Sequence, residues 1–193
     1  MNKQLFFIAI ASLVTSIASA TDLYVRDLGA GGAYATVSAA IAAASDGDRI
    51  IIKPKTSGTG AYVENLTINK SLTFVSETIY NRYFIKGSIN ITPQAGRVVT
   101  ISGLSSGNFT IYNVTVTAPT TGGRTTVNLL NCDLNNVDAT PANTTTNMSG
   151  CTVGGYVFFS HGRLTGNNAQ RITAYNTSVD TVLAADDIEI IGN

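Results

Sequence analysis

The sequence predicts an all-β solenoid, a chain of short strands coiled into stacked rungs behind one N-terminal helix. Three observations predict it. The stretch "AAIAAASDGDRIIIKP" (Ala39 to Pro54) carries the last helical periodicity in the chain. From Arg49 onward the residues fall into short β-branched runs separated by Gly, Asn, Asp and Ser. An eight-residue pattern then recurs whose apolar positions align in columns.

The first twenty residues stand apart from this fold. Lys3 precedes the apolar run "LFFIAIASLV", and "TSIASA" ends in Ala18-Ser19-Ala20, a signal-peptidase pattern. The apolar run is shorter than the roughly 20 residues a membrane-spanning helix needs. Residues 1–20 are therefore expected to be a signal peptide of bacterial type, and residues 21–193 one secreted or cell-surface domain that does not span the membrane. Without Lys3 the chain has eleven basic and twelve acidic side chains, a balance that argues against nucleic acid as a partner. Export permits a disulfide between the two cysteines, Cys132 and Cys151. Asn-x-Ser/Thr sequons at Asn65, Asn69, Asn90, Asn108, Asn113, Asn143, Asn147 and Asn176 are what a Thr- and Asn-rich composition produces by chance.

Each element follows from local chemistry. Thr36 is suited to cap a helix through its hydroxyl, and Val37, Ala40, Ile41 and Ala44 form one apolar stripe. A helix over residues 36–46 is predicted, ended by Gly47. Arg49-Ile50-Ile51-Ile52 is a buried strand, closed by Pro54. The repeat is clearest in "FTIYNVTV" (Phe109 to Val116), with "VNLLNCDL" (Val127 to Leu134), "TNMSGCTV" (Thr146 to Val153) and "ITAYNTSV" (Ile172 to Val179) aligned to it. "LTFVSETI" (Leu72 to Ile79), "VTISGLSS" (Val99 to Ser106) and "VFFSHGRL" (Val157 to Leu164) match more loosely. "IEIIGN" (Ile188 to Asn193) is a copy cut short, which predicts that the solenoid continues in a longer chain. The pattern places Asn113, Asn131, Gly150 and Asn176 in a turn column, since Asn and Gly tolerate left-handed backbone. It also stacks Val114, Cys132, Cys151 and Thr177. A β-sandwich would supply short strands at similar spacing but would not require columns that match position by position.

The segment "YATVSAAIAAASDGDRIIIKP" followed by "AYVENLTINKSLTFVSE" resembles the N-terminal cap and first coils of right-handed parallel β-helix proteins of the pectate lyase-like superfamily. The resemblance covers Leu23 to about Glu77, with only the repeat pattern beyond. It implies a right-handed parallel β-helix whose helix plugs the open end. It also raises the superfamily's activities, polysaccharide lyase, polygalacturonase and pectin methylesterase. The polygalacturonase motifs are matched imperfectly and out of order by "NTS" at Asn176, "SHG" at Ser160, "RIT" at Arg171 and "DD" at Asp186.

The residues themselves assemble no reactive cluster. Asp186 and Asp187 are adjacent, so on a strand they would face opposite ways. His161, the only histidine, is expected in a turn or on the surface. The sequence thus assigns no catalytic residue, no cofactor-binding residue and no metal ligand. Cys132 and Cys151 are read either as stacked buried thiols, the preferred reading, or as a disulfide. The expected function is that of an exported, non-catalytic structural or adhesive module with a polysaccharide or surface glycan as partner. Tyr112, Tyr156 and Tyr175 are its candidate sugar-stacking residues. The alternatives are the N-terminal part of a polysaccharide lyase or glycoside hydrolase and, more remotely, an ice-binding face built on "TVTAPTTGGRTT" and "NTTTN".

Overall fold

The computed structural model describes residues 19–56, 58, 60–78, 81–92, 94–106, 113–117, 123–141, 143–175 and 188–193. They form a parallel β-solenoid of about six turns. Strand β1 (Asp22–Val25) and helix α1 (Val37–Ala43) come first. The first coil is β2 (Arg49–Ile52), β3 (Ala61–Tyr62) and β4 (Leu66–Ile68). The second is β5 (Leu72–Ser76), β6 (Tyr83–Ile85) and β7 (Ile89–Ile91), and the third β8 (Val98–Ser102), β9 (Leu104–Ser105) and β10 (Asn113–Val116). The fourth contains β11 (Thr125–Leu130), β12 (Asp133–Leu134) and β13 (Asn136–Ala139). The fifth has β14 (Thr144–Ser149) and the long β15 (Thr152–Phe159), and the sixth β16 (Gly162–Thr165) and β17 (Asn168–Ala174). Strand β18 (Ile188–Ile191) lies on the far edge.

These strands make three faces. Face 1 is the sheet β1-β2-β5-β8-β11-β14-β16-β18. Face 2 runs β3-β6-β9-β12 and face 3 runs β4-β7-β10-β13, and both meet on β15. The first part of β15 pairs with β12 and the last with β13, with a register shift between Val153 and Tyr156 at Gly154-Gly155. Strand alternation then sends every second residue into the shared interior.

The core is a set of stacked columns. On face 1, Leu23, Ile50, Phe74, Ile101, Leu129, Met148 and Leu164 follow one another rung by rung, and Ile190 continues the column at the exposed edge. On face 3 the equivalent column is Leu66, Ile89, Val114, Val137, Val157 and Ile172. Burying each large side chain of this kind contributes about 1.5–3 kcal/mol, so neighbouring coils hold one another in place.

One corner is built the same way in successive coils. Where face 1 turns into face 2, Gly103, Asn131, Gly150 and Gly166 all have positive φ, and Gly192 repeats this beyond β18. Their amides bond in series to the next coil: Gly103 to Leu130 O, Asn131 to Ser149 O, Gly150 to Thr165 O and Gly166 to Ile191 O, at 2.9–3.3 Å.

This spine corrects the repeat alignment. "VNLLNCDL", "TNMSGCTV" and the loosely matching "VTISGLSS" are in true register, and "IEIIGN" continues them. "FTIYNVTV" is not, because Asn113 opens a face 3 strand and Val114 stacks on Ile89 and Val137. In "ITAYNTSV", Ile172 stacks on Val157. "VFFSHGRL" spans a corner, and the true sixth copy starts at Gly162, where a glycine fills the apolar position. Thr177 and Asn176 lie outside the described residues.

Helix α1 is shorter than predicted. Thr36 caps it as expected, its Oγ1 accepting from Ala39 N at 3.1 Å. The helix ends at Ala43, and Gly47 sits instead in a separate Ser45–Asp48 turn with φ 92°. Two charged side chains from the ends of β4 bracket it. The Glu64 carboxylate accepts from the amides of Val37 and Ser38, at 2.9 Å each, at the helix N-terminus. At the other end the Lys70 ammonium donates to the carbonyls of Ile41, Ala42 and Ala44. Both signs complement the helix dipole. Val37, Ala40 and Ile41 join the core.

Candidate binding face

The outward side of face 3 brings together two of the three aromatic candidates, Tyr156 and Tyr175. Alternation places Thr67, Asn90, Thr115, Asp138, Phe158 and Thr173 in one outward column, each opposite the next. The flanking column carries Asn113, Asn136, Tyr156 and Arg171.

At the late coils this face rises into an aromatic ridge. Tyr156 and Phe158, two apart on β15, stack with centroids 4.2 Å apart and an interplanar angle of 20°. Tyr175 meets Phe158 edge-on at 5.4 Å. The Arg171 guanidinium lies over the Phe158 ring at 5.5 Å, and its Nε donates to Thr173 Oγ1 at 3.2 Å. The ridge thus supplies two phenols and one cation beside a shared π-surface.

Toward the early coils the same face is polar. Asn136 Nδ2 donates to Asn113 Oδ1 at 3.0 Å, and Asn136 Oδ1 accepts from Tyr156 N, which fixes the flanking column. Asp138 Oδ1 accepts from Thr140 Oγ1 at 2.9 Å. By contrast, the side chains of Thr67, Asn90 and Thr115 have no hydrogen-bond partner among the described residues. Beyond Thr67, a hollow of about 470 Å³ opens against α1, lined by Ser38, Ile41, Ala42, Asn65, Thr67, Asn69 and Lys70.

The other sequence candidates fall elsewhere. Tyr112, Asp186 and Asp187 lie outside the described residues, as do the sequons at Asn108 and Asn176. His161, expected in a turn or on the surface, is at a corner but fully buried, because it enters a bridge with Thr145 just before β16. Gly162 beside it is required for packing, since a Cβ there would sit 1.9 Å from Thr146 O. Ser160 is also buried and donates its hydroxyl to Thr140 O. "SHG" is therefore a packing motif at a corner.

Cys132 and Cys151 are free, buried and stacked. Cys132 N donates to Cys151 Sγ at 3.4 Å, and the Cys132 thiol donates to nearby carbonyls. The thiol bond that Cys132 shares with Cys151 as donor, together with burial, pushes the Cys132 thiol well above its ordinary pKa, so it is protonated at neutral pH. Among the described residues, no three His, Cys, Asp or Glu side chains group as metal ligands. No helix among them is long and apolar enough to cross a membrane.

Fold and face together define a parallel β-solenoid with an aromatic ridge on one polar sheet. No protein-family model, curated protein or solved structure matches the chain.

The ridge was half legible in sequence. The sequence marks Tyr156 and Tyr175 as sugar-stacking candidates and Arg171 only through the imperfect "RIT" match, and nothing in it marks Phe158. The period-2 alternation of "YVFFS" against "RITAY" is the signal that brings them together once β15 and β17 are paired.

Proposed function

We propose that this protein is an exported, non-catalytic β-helix module of the cell surface or extracellular space that binds glycans through face 3. The observation that carries the reading is the ridge of Tyr156, Phe158 and Tyr175 with Arg171, rising from a sheet face of amides and hydroxyls. Aromatic rings favour the C–H faces of sugars, while amides, hydroxyls and a guanidinium bond their oxygens. Residues 1–20 fit this reading as a secretory signal.

Within the same reading the coil is right-handed, as nearly all parallel strand crossovers are. Helix α1, bracketed by Glu64 and Lys70, acts as the N-terminal plug. The resemblance over residues 23–77 supports a place in the pectate lyase-like superfamily, and it is also the ground for the alternative, the first coils of a polysaccharide lyase or glycoside hydrolase.

A glycan array probed with the protein and with Tyr156→Ala tests the binding. The reading expects a defined set of glycans whose signal Tyr156→Ala reduces severalfold. New unsaturated or reducing ends released from any polysaccharide of an acidic and neutral panel would sink the non-catalytic part.

A further inference from the structure

Two polar columns of similar composition run along the solenoid, and only one of them is closed on itself. On face 1, Asn128 Nδ2 donates to Thr100 Oγ1 and Asn147 Nδ2 donates to Asn128 Oδ1, both at 3.0 Å, while Asn147 Oδ1 accepts from Arg163 N at 3.3 Å. On face 3, Thr67, Asn90 and Thr115 make no such bonds among the described residues. Their donors and acceptors point outward in single file, at the rung spacing of about 4.8 Å.

The open column has a stop at each end. At the first coil it meets the hollow beside α1. At the fifth coil it meets the aromatic ridge, because Asp138 lies opposite Phe158. Four rung steps separate Thr67 from Phe158, about 19 Å at that spacing. An occupant must therefore be long, narrow and rich in hydrogen-bonding groups along its length.

Charge decides its class. The outward positions of β4, β7, β10 and β13 are Thr67, Asn90, Asn113, Thr115, Asn136 and Asp138, with one charge among them, and that charge is negative. A carboxylate accepts hydrogen bonds from sugar hydroxyls and repels another carboxylate. The nearby cations are engaged: Lys70 on the α1 carbonyls, and Arg171 on Phe158 and Thr173.

Resting on the glycan-binding reading, we infer that face 3 binds an extended neutral polysaccharide laid across the coils from the α1 hollow to the Tyr156–Phe158 ridge, with Asn90, Thr115 and Asp138 bonding successive sugar rings. The aromatic ridge receives one end of the chain. The closed column on face 1 has no part in binding.

The test measures binding by calorimetry to cellohexaose, chitohexaose, mannohexaose and hexagalacturonate, with shorter members of each series. It uses the protein and three variants, Asn90→Leu/Thr115→Val, Asp138→Asn and, on the closed column, Thr100→Val. Circular dichroism reports whether each variant keeps its β-structure, and Thr100→Val controls for general surface effects. The expected result is that a neutral hexamer binds, tightening from dimer to hexamer, and hexagalacturonate does not. Asn90→Leu/Thr115→Val weakens the neutral hexamer by about tenfold or more, the scale of one or two lost hydrogen bonds. Asp138→Asn weakens it severalfold, and Thr100→Val leaves it unchanged. Preference for hexagalacturonate, no gain beyond the dimer, or indifference to Asn90→Leu/Thr115→Val with Tyr156→Ala still damaging would overturn the axial neutral-chain site while leaving glycan binding intact. Failure to bind any glycan on an array would remove both.

Discussion

Faces 1 and 3 are both parallel sheets with the same rung spacing and an outward vocabulary of Asn and Thr, yet they use it differently. On face 1 the amides bond across coils and the early and late edges are tied by ion pairs. Arg49 Nε and Nη2 donate to Asp22 at 2.8 and 2.6 Å, and Arg163 Nε lies 3.0 Å from Glu189. On face 3 the side chains of Thr67, Asn90 and Thr115 in the central column make no hydrogen bond among the described residues, and the column's late end is aromatic. Residue type alone therefore does not separate a face that stabilises the stack from one available to a ligand. The register of each side chain against its neighbour does.

The largest expected effects test how tightly each face is packed. Gly162→Ala on face 1 should destabilise by about 3 kcal/mol or more, because φ is 125° and the new Cβ would meet the Thr146 backbone. Gly155→Ala, on the bulge at the edge of face 3, should cost less, about 1–2 kcal/mol, since its φ is ordinary and its Cβ meets chiefly the Asn136 amide, which must give up its bond from Tyr156 N to move aside. Denaturant melts of both variants check this, and equal losses would break the contrast in packing.

Polar substitutions should sharpen the contrast further. Asn128→Ala removes two cross-coil bonds and is expected to lose about 1–2 kcal/mol. Asn90→Ala should stay within about 0.5 kcal/mol in the same melts. A comparable loss at Asn90 would mean that face 3 is as closed as face 1. Near the start of face 3, Lys70→Met is expected to cost about 1 kcal/mol by uncovering the α1 carbonyls, read as a lower thermal midpoint.

The smallest effects are pH-dependent. Burial pushes the Tyr62 phenol up to about 12, with nearby carboxylates adding to it, and burial also raises the Tyr83 phenol well above its ordinary value. Because their folded pKa values exceed the unfolded ones, their stability contribution is complete below about pH 10 and is lost as pH rises through the folded values, about 12 for Tyr62. Tyrosinate absorbance rising together with loss of β-structure in that window checks it. On face 1, the bond from Arg49 lowers the Asp22 pKa, so that contribution is present above about pH 4 and fades in stronger acid. Asp22→Asn should flatten the acid limb of the stability curve.

Much of the solenoid can be read from residues, and the errors arise where one residue type serves two structural purposes or breaks the apolar pattern. The buried run Arg49–Ile52, the capping Thr36 and the stacked pair Cys132–Cys151 follow from local chemistry and column spacing. The most complete copy, "FTIYNVTV", misled because Asn serves two purposes. At Asn131 it takes φ 51° in a corner, whereas Asn113 is a strand residue bonded to Asn136. A copy with glycine in an apolar position, at Gly162, was invisible to a hydrophobic pattern. The open column on face 3 was also beyond sequence reasoning, since its meaning lies in bonds that its counterpart makes and it does not.

The corner spine of Gly103, Asn131, Gly150, Gly166 and Gly192 has a further consequence for how coils are added. A new coil slipped by one residue would turn its apolar side chains outward and set an ordinary residue at the corner. A non-glycine residue in left-handed backbone loses about 1–2 kcal/mol, on top of the lost burial. Each corner thus acts as a register mark that disfavours a slipped coil. Corresponding residues on face 1 are 28 apart between the third and fourth coils and 19 apart between the fourth and fifth. Chain length can vary between marks because only the mark itself has to be met.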